Sequence, residues 1–167
     1  TELLQLIKEL ISVQLIVEES GDRFALRHAL TREAIYSQLI ERERMRLHQK
    51  IGESIEHLKG ESLDDQIASL AYHFFQANAW QKAMEYSLKA GEKAQALYAP
   101  RAAIEHFTHA MEAAQRLGVP VPLSSYRARG SAYEKLGDFE RARADYETVL
   151  QTAHKDQDEN FEWQALL

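Results

Sequence analysis

Between Tyr126 and Val149 the chain sets small residues among aromatic ones in the order that two crossing helices require. Gly130 and Ala142 are the small residues, and Tyr126, Tyr133, Phe139 and Tyr146 surround them at helical spacing. Two helix axes approach to about 8 Å only where the side chains at the crossing are short. The pattern therefore predicts a helical hairpin crossing at Gly130 and Ala142. Gly137 stands where a left-handed residue closes the first helix, and Asp138 follows where an N-cap opens the second. Such a hairpin leaves an apolar stripe on each helix, so it demands further helices beside it.

The register of Tyr126, Gly130, Tyr133, Gly137, Phe139, Ala142, Tyr146 and Val149 resembles a tetratricopeptide repeat. The same frame laid on Ile67, Ala71, Phe74, Trp80, Ala83 and Ala90 predicts a second repeat upstream, and Tyr98, Ala103, Phe107 and Ala110 give a weaker third. Ala83 and Ala103 lie closer together than the roughly 34 residues of that repeat. The stretch from Trp80 to Leu117 therefore reads as two long helices. Trp163 and Leu166 stand at the spacing that opens a further first helix, so more repeats are expected beyond the chain's end. The expected fold is all-α: a tetratricopeptide-like right-handed array over 62–167, truncated at its C-terminal side.

The first 58 residues differ. Leu3, Leu6, Ile7, Leu10 and Ile11 form a helical stripe, followed by a β-prone run at Leu15, Ile16 and Val17. Glu18 to Asp22 reads as a turn around Gly21, and Phe24 and Leu26 alternate in the second arm of a small hairpin. Helices are expected from Ala29 onward. Met45, Leu47, Ile51, Ile55 and Leu58 form a stripe ending near Gly60, and Ser62 with Asp65 matches the spacing of a capping box. Asn78 reads as a helix start, Pro100 suits a first turn, and Gly118 to Pro122 reads as a connector and internal seam.

Bulk properties narrow the function. The chain has 167 residues, 45% hydrophobic and 28% charged, enough for a packed core rather than disorder. A net charge of -6 spread among mixed signs gives no support to nucleic-acid binding, so a DNA-binding regulator ranks behind other readings. No cysteine is present, which removes disulfides, thiolate metal sites and cysteine nucleophiles. With no apolar run long enough for a membrane span, a cytoplasmic location is expected.

The segment from Phe24 through His28 and Arg32 to Tyr36, with the helix from Glu41 to Leu58 and the region Ala68 to Ala90, resembles the part that follows the ATPase core in bacterial signal-transduction ATPases with numerous domains. That resemblance implies that 1–58 is the end of a winged helix, with its wing and linking helices, and that 62–167 is a regulatory arm. The arm would sense a protein or peptide partner, self-association included, and couple to a nucleotide-binding core in cis. His28 is then the position implied for a nucleotide sensor, with Arg32 as its electrostatic companion. The resemblance implies ATP or ADP for a longer protein and no cofactor for this segment. The alternative is a free-standing tetratricopeptide scaffold or oligomerisation module.

No Gly-rich phosphate loop ending in Lys-Ser or Lys-Thr occurs, and no nucleophile motif singles out a triad, so the segment is not expected to be an enzyme. His106 and His109 lie about a turn apart, but two imidazoles fall short of the three or four ligands zinc takes. His48, His57, His73 and His154 are scattered along the sequence and predict no cluster. Arg42, Arg44, Arg46 and Lys50 are diluted by Glu41, Glu43 and Glu53, which suits a solvated helix better than a phosphate track. Asp156, Asp158, Glu159 and Glu162 read as first-turn acids of a following helix.

Overall fold

The computed structural model describes residues 2–20, 23–57 and 63–156. Gly21, Asp22, Leu58, Gly60, Ser62, Trp163 and Leu166 lie outside them, as do the acids from Asp158 to Glu162, so the turn, cap and further repeat expected there stay expectations. The elements are α1 (Glu2–Ser12), β1 (Ile16–Ser20), β2 (Arg23–Leu26), α2 (Ala29–Gln38), α3 (Glu41–His57), α4 (Leu63–Gln76), α5 (Trp80–Ala96), α6 (Pro100–Leu117), α7 (Leu123–Lys135) and α8 (Phe139–Asp156). The chain is a helical array preceded by a small helix and hairpin. It divides into two compact units, 1–44 and 45–167.

In the first unit β1 and β2 pair antiparallel, Ile16 opposite Leu26 and Glu18 opposite Phe24, with an irregularity between Glu18 and Ser20. Glu18 and Ser20 therefore pair in the ladder, with Glu19 at the irregularity between them, and the strand runs on where a turn was expected. Continuing the strand pairs backbone groups that a longer turn would leave to water. α1 packs on β1, and α2 on β2. No described residue of this unit is buried, and Leu3, Leu30 and Ile40 keep more than half of their surface open.

The second unit carries the core. Leu70, Phe74, Ala83, Ala90 and Ala113 are buried together, and Ala94, Ala103, Phe107 and Ala132 form a second cluster. Each sequential pair from α4 to α8 packs, α6 against α7 included. Gly118 to Pro122 is thus a turn inside the unit rather than a seam, and the unit boundary falls between Arg44 and Met45 within α3. Trp80 to Leu117 is indeed two helices, α5 and α6.

Five helices, α1 and α4 to α7, end in one way, whereas α2 ends on Leu39 in extended backbone, φ -72° and ψ 132°. Gly118 and Gly137 take positive φ, 68° and 77°, and so do Gln14, Asn78 and Tyr98 at 59°, 55° and 54°. After each, the chain donates back to a carbonyl five residues earlier: Leu15 to Leu10, Ala79 to Phe74, Ala99 to Ala94, Val119 to Ala114 and Asp138 to Tyr133. This is the Schellman closure, which satisfies carbonyls left over at a helix end. Asn78 accordingly ends α4 and does not start α5, whose N-cap is Ala79. Asparagine tolerates the left-handed region better than most residues, which explains its place there. At the α8 start Asp138 Oδ1 accepts from the Arg141 amide at 3.2 Å, a side-chain cap.

Candidate interaction surface

Three glycines fix how the hairpins of the second unit close. A Cβ at Gly52 would fall 2.9 Å from the Phe74 ring, one at Gly91 2.8 Å from Phe107, and one at Gly130 2.8 Å from Tyr146. These contacts join α3 to α4, α5 to α6 and α7 to α8. Gly52, Gly91 and Gly130 are spaced by 39 residues (91 − 52 and 130 − 91). The frame laid on Ile67 to Ala90 had grouped α4 with α5 instead. Of its positions, Ala71, Phe74 and Ala83 share one buried cluster with Trp80 packed against it. That contact joins successive hairpins. The equal glycine spacing was the signal available in the sequence.

The residue before each interlocked ring is polar and turned inward. His73 precedes Phe74 and meets His48 of α3, Nδ1 to Nδ1 at 2.9 Å. The two histidines, scattered in sequence, are thus brought together, and Tyr72 lies edge-on to both rings. Burial pushes both imidazoles below their ordinary pKa, and His48 lowers His73 further. Asp145 precedes Tyr146 and accepts two hydrogen bonds from Arg129 at 2.7 and 2.9 Å. That pair raises the Arg129 pKa. His106 precedes Phe107, and its Nδ1 is buried without a hydrogen-bond partner among the described residues. Burial lowers its pKa.

Further ties cross between helices. Glu56 of α3 accepts from both Lys82 and Tyr86 of α5. Burial acts to raise the Glu56 carboxyl, but these two hydrogen bonds outweigh it and hold its pKa low. Burial, then the same carboxylate, raises the Tyr86 phenol. Gln95 of α5 donates to the Ala128 carbonyl of α7 at 3.0 Å. His109 stacks on Phe75 with ring centroids 4.1 Å apart. Among the described residues no group of three or more potential metal ligands gathers.

Between α6 and α7 an open groove of about 440 Å³ is lined by Thr108, Met111, Glu112, Arg116, Tyr126 and Arg129, with Gln115 beside them. Arg129 donates to Thr108 at 3.1 Å and lies 6.0 Å from the Tyr126 ring centre and 5.8 Å from that of Tyr133. Held by Asp145 on one side and two aromatic faces on the other, the guanidinium is fixed before anything binds. Arg116 is exposed and lies 3.6 Å from the half-buried Glu112. Such a surface offers an aromatic ring and cations over a floor that includes the buried Met111, and aromatic and arginine side chains are enriched where proteins meet.

His28 and Arg32 belong to the first unit, not to this groove. His28 is the N-cap of α2 by its extended backbone, φ -129° and ψ 130°, but its side chain makes no cap hydrogen bond. Its carbonyl accepts from the Arg32 amide at 3.4 Å, and both side chains are exposed. No helix of the described residues is long and apolar enough to cross a membrane. No family model, no curated protein and no solved structure matches the chain.

Proposed function

We propose that the second unit is a protein-interaction array that binds a peptide or protein segment along the groove between α6 and α7, and that the chain acts by binding rather than catalysis. The observation that carries this reading is the groove, walled by Met111, Tyr126 and a pre-positioned Arg129. Rigid side chains lose little freedom on binding, so contact with them yields more net affinity. The finer assignment is a right-handed tetratricopeptide array, supported by small residues facing aromatic rings in successive hairpins.

Selection from a displayed peptide library on the immobilised chain tests the reading. Selected peptides are expected to lose binding to Tyr126→Ser and to Arg116→Glu. Equal binding by both variants, or no selectable peptide, would overturn it.

The wider role we propose is that of a regulatory arm behind a winged helix in a signalling ATPase acting in the cytoplasm, with residues 1–58 ending that winged helix and 62–167 forming the arm. Its support is the order of helix, antiparallel hairpin and helix in the first unit, directly ahead of the array. His28 and Arg32, exposed at the start of α2, then face nucleotide on the core. With that core joined upstream, nucleotide retention is expected to fall in His28→Ala. Equal retention would remove the sensor role and leave the free-standing scaffold.

A further inference from the structure

The groove between α6 and α7 carries more hydrogen-bond donors than its own residues use. A guanidinium has five N–H groups. In Arg129, Nε and Nη2 donate to the two oxygens of Asp145 at 2.9 and 2.7 Å, and Nη1 donates to Thr108 at 3.1 Å. Among the described residues, one N–H on Nη1 and one on Nη2 are left over. The Thr108 hydroxyl offers a ligand no donor, because it donates to the Ile104 carbonyl at 2.7 Å while accepting from Arg129. On the α6 wall Arg116 is exposed, and at 3.6 Å its Nη2 lies too far from Glu112 for a hydrogen bond. The lining thus sets two guanidinium groups with donors to spare against one carboxylate.

We propose that the peptide this groove binds is an acidic one, and that Arg129 holds one of its carboxylates on the two remaining N–H groups. The inference rests on the groove reading and names the chemistry of its ligand. Two N–H groups at fixed positions match the two oxygens of a carboxylate. Asp145 offsets the charge of Arg129 without using up its donors, so recognition comes from the direction of the N–H groups and not from a net positive field. That counts against a dianionic group such as a phosphate, which Asp145 and Glu112 repel more strongly than they repel a single charge. The Tyr126 ring and the buried Met111 supply the apolar wall along which the carbon chain of the acidic residue lies.

The carboxylate can come from an Asp or Glu side chain or from the end of a chain. Synthetic peptide libraries with or without Asp and Glu, each with a free or an amidated C-terminus, separate these sources on the immobilised chain. Binders are scored where Tyr126→Ser abolishes them, which places them in the groove. They are expected from every library that holds a carboxylate and from none that lacks one, and changing the selected acid to its amide should weaken binding about tenfold, the worth of a charged hydrogen bond. Groove binders of equal strength without a carboxylate overturn the proposal and leave the groove reading standing, whereas no groove binder from any library overturns both. Arg129→Met with Asp145→Leu removes the guanidinium without leaving a charge unpaired, and should bind acid and amide peptides alike. Retained discrimination in that variant overturns the role of Arg129. In the unaltered chain the Arg129 side-chain N–H resonances should move with the acidic peptide and not with its amide counterpart, a signature that no loss of folding can imitate. Resonances that stay in place overturn the proposal equally.

Discussion

At Gly91 the helix backbone itself is the floor on which Phe107 rests. Alanine there gains helix propensity worth about 1 kcal/mol. Against that, its methyl would lie 2.8 Å from ring carbons of a side chain only 2% exposed, which has nowhere to retreat. Overpacking of this kind costs about 1–3 kcal/mol, so Gly91→Ala is expected to destabilise by about 1 kcal/mol in urea unfolding. The ring contact is the cause if Gly91→Ala with Phe107→Leu falls short of the sum of the two single effects; strict additivity would remove it. The His48 and His73 pair gives a pH prediction at the same scale. Both folded pKa values lie below the ordinary 6.5, so the unfolded chain takes up protons first as pH falls. Stability is therefore full above 6.5, declines as pH drops below it, and levels once the folded rings also protonate. His106 adds in the same direction. Urea midpoints at pH 7.5 and 5.5 check this, and His48→Phe with His73→Leu should flatten the slope. An unchanged slope in that variant would show that the pair is not its source.

Between elements, one ion pair reinforces the contact of Gly130 with Tyr146 in tying α7 to α8. The Arg129 side chain is 18% exposed and that of Asp145 6%. Asp145→Asn leaves a largely buried guanidinium without its counter-charge, and a loss of about 3 kcal/mol is expected. Replacing both partners by Met and Leu should cost far less, because the penalty comes from the unpaired charge rather than from the absence of the bridge. A thermal unfolding series of the unaltered chain and these two variants decides between these accounts. This pair was not legible in the sequence, since nothing in the pattern of Gly130, Tyr133 and Tyr146 says which charged neighbour turns inward. The α7 and α8 hairpin was legible, because Gly130, Gly137 and Ala142 each have one physical use at their position. Helix ends were harder. Asn78 suits both an N-cap and a left-handed closure, and only the hydrogen bond from Ala79 to the Phe74 carbonyl decides. The pairing of hairpins upstream was misgrouped because alanines are common on α4 and α5 and fit more than one frame. The groove became visible only with the packing of α6 on α7, since Met111 and Tyr126 sit on helices separated by a five-residue connector, Gly118 to Pro122.

On the scale of the whole second unit, the helices touch chiefly their neighbours in order, so its stability should follow a nearest-neighbour rule rather than a single global one. Both core clusters draw on α5 and α6, the first through Ala83, Ala90 and Ala113, the second through Ala94, Ala103 and Phe107. These two helices are packed from both sides, whereas among the described residues α8 packs on α7. Local opening free energies track the apolar contact that must be broken to expose an amide. Native-state hydrogen exchange should therefore find the slowest amides in α5 and α6, near Ala90, Ala103 and Phe107, with α8 exchanging faster through partial opening at low urea. Gly91→Ala should lower protection in α5 and α6 more than in α8, because its strain sits at their interlock. Should all helices exchange at one common free energy instead, the unit would open as a single cooperative body, and the array description would lose its energetic basis.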